Sequence, residues 1–491
     1  MPRETKYTQI ETIIHKNNKM KRKQIAFTVV AALMLTQQAG AQTETEKDEL
    51  RDKPRKERII KSQIPFEGLD QTWYNGNDRR DSSVLSSKYV TWSIMLDANV
   101  NHSFNDPIDH TVVGSTAMAR TDEIEVSCAA IGGDFVYGNA RGRIMTQFGT
   151  RSTVVPRNDL SPYRGQYNLA DVYRYISEAY AGYHFDVMHG INVDAGMFMS
   201  YIGLNSYYQV ENWEYQASFT SDNTPWFFNG IRVQIFPSEH LKIEPWIING
   251  WQSYGMFNQL PGVGGNITWI PNSNFKLLTN DYYGTDAPGL VGRHRFHSDN
   301  SVLWRYYKRP KTATGINQMA LSGTVDVGFE KGGGVNGFKD DIGGKGPAQY
   351  FASAMVYNRM WFGKSKWAWC IGGGYMKNPG RYLVLYPTGD ASPLPNQYNP
   401  TQLAGSHPYS ANPGDQFSGW DASTNISWMP NQSIEFRLEY VHREADNPYW
   451  AGKGGVTSPS GYTTTPVPAT GWAPDLVKSE DRVILALLFR M

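Results

Sequence analysis

Hydrophobic and polar side chains alternate along the chain from about residue 90 onward, in stretches long enough for a tilted strand to cross a bilayer. The stretch 433–446 is the sharpest example, with Ile434 and Phe436 on one face and Glu435 and Arg437 on the other. Because successive side chains of a β-strand point to opposite faces, this period of two predicts strands that are apolar on one side only.

We predict sixteen such strands, and an even number suits an antiparallel barrel of the bacterial type. The predicted strands are 91–104, 125–138, 141–152, 172–185, 190–202, 226–237, 241–254, 263–271, 274–285, 297–309, 318–330, 349–363, 366–379, 417–430, 433–446 and 481–491. The fold class is therefore all-β: residues 89–491 are expected to form a transmembrane antiparallel up-and-down β-barrel. At this strand number side chains no longer fill the interior, so an aqueous lumen is expected.

The connections between the strands alternate in length. Tight turns are predicted at 139–140, 186–189, 238–240, 272–273, 364–365 and 431–432, and long loops at 105–124, 153–171, 203–225, 331–348, 380–416 and 447–480. Two connections depart from this rule, because 255–262 is short where a long loop is expected and 310–317 is the reverse. Bacterial barrels have short periplasmic turns and long extracellular loops. A soluble β-sandwich also alternates, but nothing in its architecture produces this asymmetry.

Aromatic residues cluster near the ends of the predicted strands, as the two girdles at the membrane interfaces require. They are Trp226, Phe227 and Phe236; Trp304 and Tyr306; Trp361 and Phe362; Trp367 and Trp369; and Trp420 and Trp428. Hydrophobic residues make up 40% of the chain, yet no apolar run is long enough for a membrane helix. The composition thus excludes a helical membrane protein and agrees with a barrel.

Residues 1–41 are expected to be a secretory signal peptide, with Met20 as the alternative start. A basic start at Lys21-Arg22-Lys23 precedes the apolar stretch 25–35 and the small residues Ala39-Gly40-Ala41 at the cleavage point. This segment carries a surplus of five positive charges, so the mature chain is about four charges negative. Such a balance argues against a partner nucleic acid.

Residues 42–88 are expected to form a charged, flexible periplasmic arm. The part 43–63 is dense in charges of both signs, which is typical of a solvated segment. Docking of the arm to a partner or to peptidoglycan is the alternative. The arm is too short to be a folded plug that fills a large barrel.

The chain has two cysteines, Cys128 and Cys370, in strands far apart in sequence. They are interpreted as two unpaired thiols, although one disulfide is possible. No clustered Cys and His pattern is present, so no metal or cofactor is expected.

Short motifs between residues 125 and 255 carry a family resemblance. They are Ile176-Ser177-Glu178-Ala179-Tyr180, Val193-Asp194-Ala195-Gly196-Met197-Phe198, Tyr201-Ile202-Gly203 and Asn249-Gly250-Trp251. Over about residues 65–491 the chain resembles the porin-2, or OmpL-like, family of outer-membrane β-barrels of Bacteroidetes and related Gram-negative bacteria. The resemblance implies solute passage by diffusion and transfers no binding residue. The C-terminal aromatic residue of many such proteins is here Phe489, followed by Arg490 and Met491.

The polar faces of the predicted strands carry charges of both signs that would line the lumen. The candidate pore-lining residues are Arg141, Arg143, Arg174, Glu178, Arg232, Lys242, Glu244, Arg305, Arg359, Glu435, Arg437, Glu439 and Arg443, with Asp134, Asp194, Asp326 and Asp421 as further negative groups. Opposed charges across a constriction can create a transverse field that tunes selectivity. The alternative is that neighbouring charges pair and only brace the wall.

The loop 203–225 is rich in aromatic residues, among them Tyr207, Tyr208, Trp213, Tyr215 and Phe219. Folded into the lumen, it would be a constriction loop with stacking surfaces for sugar rings. The alternative is that it packs on the barrel rim.

No catalytic residues are expected. Histidines are few, with His184 and His189 at a predicted turn and His294 and His297 beside a loop, so no triad-like grouping is visible. The glycine-rich stretch 331–345 lacks a P-loop, because Gly346 stands where Ser or Thr is needed.

The sequence predicts an integral outer-membrane porin that lets small hydrophilic solutes diffuse through an aqueous lumen. The expected partners are outer-membrane lipid, the barrel-assembly machinery during biogenesis and the solutes themselves, with a homo-oligomer possible. The alternative function is a non-conducting structural or partner-binding barrel. An open lumen would favour the pore, and a lumen filled by loops or by the arm would favour the scaffold.

Overall fold

The computed structural model describes residues 66, 69–74, 85, 87–156, 159, 167–286, 289–310, 312–332, 350–378, 417–456 and 475–491. The predicted signal peptide lies outside the described residues, as do most of the predicted arm and most of the glycine-rich stretch. Within the described part of the chain, sixteen strands form one closed antiparallel barrel.

The barrel strands agree closely with the predicted ones in number and position. They are β1 (Val90–Ser103), β2 (Ile124–Tyr137), β3 (Ala140–Thr146), β4 (Ile176–Phe185), β5 (Ile191–Met199), β6 (Phe227–Ser238), β7 (Leu241–Ile248), β8 (Gly262–Asn272), β9 (Phe275–Gly284), β10 (Arg293–Lys308), β11 (Ile316–Gly332), β12 (Tyr350–Phe362), β13 (Trp367–Lys377), β14 (Ser418–Trp428), β15 (Ile434–Ala445) and β18 (Ser479–Arg490). Two short strands, β16 (Trp450–Ala451) and β17 (Leu476–Val477), form a separate ribbon in the connection between β15 and β18.

Each barrel strand pairs with its neighbours in sequence, and β1 closes the barrel against β18. In that closing pair Ala98 lies opposite Leu487. Closure pairs the backbone N–H and C=O groups of every strand, which a bilayer requires because it offers no water to unpaired groups.

The connections separate the barrel into two ends, here called the turn end and the loop end. The turn end holds short connections, from 239–240 and 273–274 up to 309–315. The loop end holds long ones, including 104–123, 200–226 and 378–417. The connection at 249–261 belongs to the loop end and is longer than predicted, because β7 ends at Ile248. This removes one of the two exceptions to the predicted alternation.

The outer face of the barrel is apolar and the inner face is polar, as the alternation predicts. On β15, Leu438 and Tyr440 are exposed to the surroundings, whereas Arg437 and Glu439 point inward and are buried. Six predicted aromatic residues are exposed on the outer face: Trp304, Tyr306, Trp367, Trp369, Trp420 and Trp428. Trp226, Phe227, Phe236 and Trp361 are instead buried and do not belong to a girdle, so that part of the prediction is wrong.

Two predicted strands are shorter at the loop end, where short helices replace them. Strand β3 ends at Thr146, and helix α1 (Arg151–Val154) follows Gly149, whose φ of 111° breaks the extended chain. Helix α2 (Leu169–Tyr173) precedes β4, and its N-cap Asn168 accepts a hydrogen bond from the Ala170 backbone N–H. The backbone turn at Gly149 and the cap at Asn168 thus override the strand pattern at these positions.

The described helices are all short, and none is both long and apolar enough to cross a membrane.

Residues 69–74, which the sequence places in the flexible arm, pack against the barrel at the turn end. Trp73 is 2% exposed, and its indole N–H donates to the Ser273 carbonyl at 2.7 Å. The hydroxyl of Tyr74 donates to the Phe275 carbonyl at 3.1 Å. Part of the predicted arm is therefore buried against the barrel, whose first strand begins at Val90.

Cys128 on β2 and Cys370 on β13 are free and buried, which confirms the interpretation as two unpaired thiols.

Candidate functional site

The loop between β5 and β6 lies inside the barrel, not on its rim. Almost all of residues 207–224 are buried, and their partners belong to opposite sides of the wall. The hydroxyl of Tyr208 lies 2.8 Å from Ser177 Oγ on β4, while that of Tyr215 donates to Asp97 Oδ1 on β1 at 2.8 Å. We call residues 203–225 the inner loop.

Charged residues of β12, β14 and β15 hold the backbone of the inner loop. The Glu439 carboxylate accepts the backbone N–H groups of Tyr215 and Gln216, each at 2.7 Å. The Asp421 carboxylate accepts the Phe219 N–H at 2.6 Å, and Arg359 donates to the Trp213 carbonyl at 2.6 Å. A loop buried away from water needs such partners, because unpaired backbone groups are costly.

The same wall charges also pair with one another and with acidic residues of the inner loop. Arg437 Nε lies 2.8 Å from Glu435 Oε1, and Arg443 Nη2 lies 3.0 Å from Asp222 Oδ2 of the inner loop. Burial raises the pKa of Asp222, while the Arg443 guanidinium opposes the rise. The charges between this side of the wall and the inner loop therefore largely compensate one another.

The aromatic side chains of the inner loop fill the space between these anchors. The Tyr207 ring lies 4.1 Å from the guanidinium carbon of Arg151, close enough for a cation–π contact. The Trp213 and Trp361 rings are edge to face, with centroids 5.9 Å apart. Tyr207, Tyr208, Trp213 and Tyr215 are each 5% exposed or less, so they occupy the lumen as packed groups.

The N-terminal segment 69–74 and the inner loop meet inside the barrel. The indole N–H of Trp213 donates to the Trp73 carbonyl at 3.2 Å. Asp70 Oδ2 lies 2.9 Å from Arg305 Nη1 of β10. Burial would raise the pKa of Asp70, but the Arg305 guanidinium lowers it to about 2, so the ion pair persists at neutral pH. Together the two segments cover inward residues of β10, β12, β14 and β15, while the inner loop also reaches β1 and β4.

The inner wall from β2 to β7 carries a group of partly exposed charges. Five candidate pore-lining residues keep side-chain exposures of 9–18% there: Arg141, Arg143, Glu178, Arg232 and Lys242. Asp134, at the β2 edge of this strip, is 46% exposed. We call these six residues the charged strip.

One row of the charged strip depends on a glycine. The strand register places Gly182 of β4 between Arg141 of β3 and Asp194 of β5. Arg141 Nε reaches over it to Asp194 Oδ1 at 3.2 Å, and Arg232 Nε lies 2.9 Å from Asp194 Oδ2 on the other side. A Cβ atom at residue 182 would lie 2.1 Å from Asp194 Oδ1, so a side chain there would displace the carboxylate.

Every basic group of the charged strip has an acidic partner. Arg143 lies 2.8 Å from Asp134 and 2.6 Å from Glu178. Lys242 Nζ lies 2.9 Å from Glu244 Oε2, which is itself buried. The strip is thus a ladder of paired charges whose basic ends stay partly exposed.

The structure separates the predicted pore-lining residues into three groups. The charged strip holds Arg141, Arg143, Glu178, Arg232 and Lys242. Glu244, Arg305, Arg359, Glu435, Arg437, Glu439 and Arg443 also point inward but are buried at 3% exposure or less. Arg174 lies outside the barrel strands, because it follows helix α2 and pairs with Asp171 at 2.7 Å, so its placement on an inward strand face is wrong.

Two features of the interior were missed by sequence reasoning. The Trp73-Tyr74 pair was a signal for burial inside an otherwise charged segment, because large aromatic residues are rarely left in solvated linkers. Asp97 and Asp299 point inward but were not among the candidates, since a single carboxylate in an alternating strand carries no distinguishing signal. His294 and His297 belong to β10 itself, which begins at Arg293, four residues before the predicted start.

A cluster of His102, Asp106 and Asp122 lies at the loop end. Their ligand atoms lie within 4.8 Å of one another, and all three residues are exposed. The cluster holds residues of a kind that can bind a metal, although the sequence predicts none.

A closed sixteen-strand barrel with an apolar outer face, a charged interior and an inward-folded loop defines a transmembrane β-barrel of the porin type. The family model "Putative beta-barrel porin-2, OmpL-like" matches residues 89–466, and the chain belongs to that family. No curated protein matches the sequence.

Several solved outer-membrane proteins are similar in fold at low identity. In-vitro folded OmpT of Vibrio cholerae aligns with a TM-score of 0.44 and 8% identity over 84% of this chain and 100% of its own. The outer membrane channel DcaP of Acinetobacter baumannii gives a TM-score of 0.45 and 10% identity over 82% and 97%. An anion-selective porin from Comamonas acidovorans gives 0.43 and 10% over 82% and 99%.

Proposed function

We propose that the protein is a pore of the bacterial outer membrane that lets small hydrophilic solutes and ions diffuse passively along the charged strip. The observation that carries this proposal is the uneven cover of the interior. The inner loop and residues 69–74 bury the inward charges in the middle of β10, β12, β14 and β15, whereas the strip on β2 to β7 keeps partly exposed charges, as do Arg293 and Arg295 at the start of β10. A polar, hydrated strip beside packed aromatic groups is suited to small polar solutes.

The family and the apolar outer face support the membrane setting of this proposal. In this proposal the turn end faces the periplasm and the loop end faces the outside, as in other bacterial barrels. Outer-membrane lipid surrounds the aromatic girdles, the barrel-assembly machinery inserts the chain, and copies of the barrel can associate through the outer face. No enzymatic activity is proposed.

The second candidate function is a non-conducting structural or partner-binding barrel. The burial of Arg359, Arg437 and Arg443 favours this second function, because these side chains hold the inner loop in place and are inaccessible to solutes. The two functions differ in one measurable property, which is whether water and ions pass along the charged strip.

The test is single-channel recording of the purified mature chain in planar bilayers. We expect stable conductance steps that scale with salt concentration. The variant Asp134→Cys should then be blocked by a charged thiol reagent, whereas Ser427→Cys, buried beneath the anchors of the inner loop, should not. The native Cys128 and Cys370 are buried, so the background reaction should be low.

A barrel that migrates as a folded, heat-modifiable species but gives no conductance would contradict the pore and support the scaffold. Conductance that is blocked equally in both variants would place the path elsewhere than the charged strip.

A further inference from the structure

Five polar side chains lie side by side at one height of the covered wall. The strand register places Asn266 opposite Asn280, Asn280 opposite Asp299, Asp299 opposite Asp326, and Asp326 opposite Ser353. The row therefore runs across five consecutive strands, β8 to β12. Each of these residues is buried, from 0% exposed at Asn280 and Asp326 to 6% at Ser353.

The hydrogen bonds of this row stop in its middle. Asn280 donates to Asp299 Oδ1 at 2.9 Å, and Ser301 Oγ donates to the same oxygen at 3.3 Å. Within the described part of the chain, no N–H or O–H group of another residue donates to Asp299 Oδ2 or to either Asp326 carboxylate oxygen, and Ser353 Oγ has no hydrogen-bond partner. The Asp299 and Asp326 carboxyl groups lie within hydrogen-bonding distance of each other, so a proton or a cation between them is needed to satisfy their oxygen atoms.

The two carboxylates also lack a basic partner. Among the described residues, neither Asp299 nor Asp326 forms an ion pair with Lys or Arg, and the nearest ring nitrogen is His297 Nε2, 3.9 Å from Asp326 Oδ2. Two adjacent buried carboxylates cannot both be ionised without a positive counter-charge, because burial and mutual repulsion both oppose it. Either they share a proton or a cation lies between them.

We propose that Asp299, Asp326 and Ser353 bind a divalent cation of the calcium type. The ligand set consists of oxygen atoms only, and hard cations such as Ca²⁺ prefer carboxylate and neutral oxygen ligands. Two negative charges balance one divalent ion. Ca²⁺ suits this dry position better than Mg²⁺, which gives up its bound water reluctantly. The ion would join β10, β11 and β12 behind the inner loop, and the site does not depend on whether the lumen conducts.

The unpartnered hydroxyl of Ser353 is what separates this site from a simple acidic pair. Ser353 is on the same inward face as Asp326 and directly opposite it, and a serine buried to this degree ordinarily donates its proton to a neighbour. A hydroxyl that instead presents its lone pairs to a cation has no need of a protein acceptor.

The test is calcium binding by the full-length mature barrel, refolded in detergent and stripped with EGTA. Isothermal titration with CaCl₂ should show a site of one ion per chain, and added Ca²⁺ should raise the melting temperature. The substitutions Asp326→Asn and Asp299→Asn keep side-chain size but remove one negative charge each, and should weaken binding by at least about tenfold. Heat-modifiability on a gel shows whether each variant folds, and Ser353→Ala serves as a milder variant if the others do not.

Two matched controls separate this site from other carboxylates. Asp281→Asn removes an exposed carboxylate of β9, and Asp122→Asn disrupts the exposed cluster with His102 and Asp106. Both should keep the wild-type affinity. Loss of the calorimetric site in Asp122→Asn, with retention in Asp326→Asn, would overturn the proposal by placing the ion on the surface. A wild-type barrel whose melting temperature responds to neither Ca²⁺ nor EGTA would overturn it in favour of a shared proton.

Discussion

Charged residues in this barrel act mainly in pairs, and small residues decide which pairs can form. Arg141 reaches Asp194 across a whole strand because Gly182 leaves the space between them open. Surface ion pairs contribute little, but partly buried and hydrogen-bonded pairs hold their geometry more strongly. The side chains of the charged strip can therefore keep a fixed arrangement while their exposed parts stay accessible from the lumen.

Arg143 offers a direct test of the charged strip at this scale. The variant Arg143→Gln removes one positive charge and leaves Asp134 and Glu178 without their partner. A unit charge about 8 Å away in water contributes about 0.5 kcal/mol, so we expect about a twofold shift of permeability toward cations. Reversal potentials in a KCl gradient measure this shift.

The double variant Arg143→Gln/Glu178→Gln restores the charge balance and should return the reversal potential toward the wild-type value. An unchanged reversal potential in the single variant would contradict the assignment of the path to this strip.

The inner loop is the element that most changes the interior. Its backbone is held by Glu439 and Asp421 and by arginines of the same wall, so groups that could attract ions serve to fix a loop. Because the loop lies inside the barrel, we expect its position to set the lumen width. We also expect this position to depend on pH, because the loop contains the buried acid Glu214.

Burial raises the pKa of Glu214 to about 7, and the neighbouring Glu439 adds to the rise, while a hydrogen bond from Asn205 opposes it. In an undocked loop the pKa would lie near the ordinary value of 4.5. The protonated form is therefore favoured by docking, and this stabilisation is present below pH 4.5 and lost as the pH rises through about 7. Its size is on the order of 3 kcal/mol.

We expect the inner loop to release more readily at pH 8 than at pH 5. The rate at which a thiol reagent labels Ser427→Cys beneath the loop, divided by the rate for the more exposed Asp134→Cys, should rise over this range, because the ratio cancels the greater ionisation of every thiol at higher pH. Adding Glu214→Gln to Ser427→Cys should reduce the pH dependence of this ratio, because glutamine stays neutral throughout. An equal ratio at both pH values in the parent variant would show that Glu214 does not control docking.

The whole molecule is stabilised by closure, because each strand supplies the hydrogen-bond partners of the next. Strand β18 pairs with β1 on one side and β15 on the other, so it is the last piece of the ring. An open sheet in a bilayer would leave two edges of unpaired backbone groups.

A chain that ends at residue 478 lacks β18 and is expected to give no folded barrel. The measurement is heat-modifiability on a gel after refolding in detergent or vesicles, where a closed barrel migrates differently before and after boiling. A chain that lacks only Met491 keeps all of β18 and serves as the control. A heat-modifiable species from the shorter chain would show that closure by β18 is dispensable.

The sequence by itself determined the class of fold, the number of strands and most of their bounds. The alternation of residues such as Ile434 and Glu435 is a local property that any strand with one apolar face must show, so it can be read without knowledge of neighbours. The lengths of the connections are equally local. Hence β15 and β14 lie within two residues of their predicted positions.

Only the tertiary structure decided which inward charges are accessible and which hold other parts of the chain. Arg143 and Arg437 occur in the same alternating pattern, yet Arg143 belongs to the partly exposed charged strip and Arg437 is buried beneath the inner loop. That difference arises from contacts between residues more than two hundred positions apart, as in the hydrogen bond from Arg437 to the Asn212 carbonyl. The period of the sequence predicts on which face of a strand a residue lies. Whether that face is buried depends on where distant loops and the N-terminal segment pack in the folded barrel.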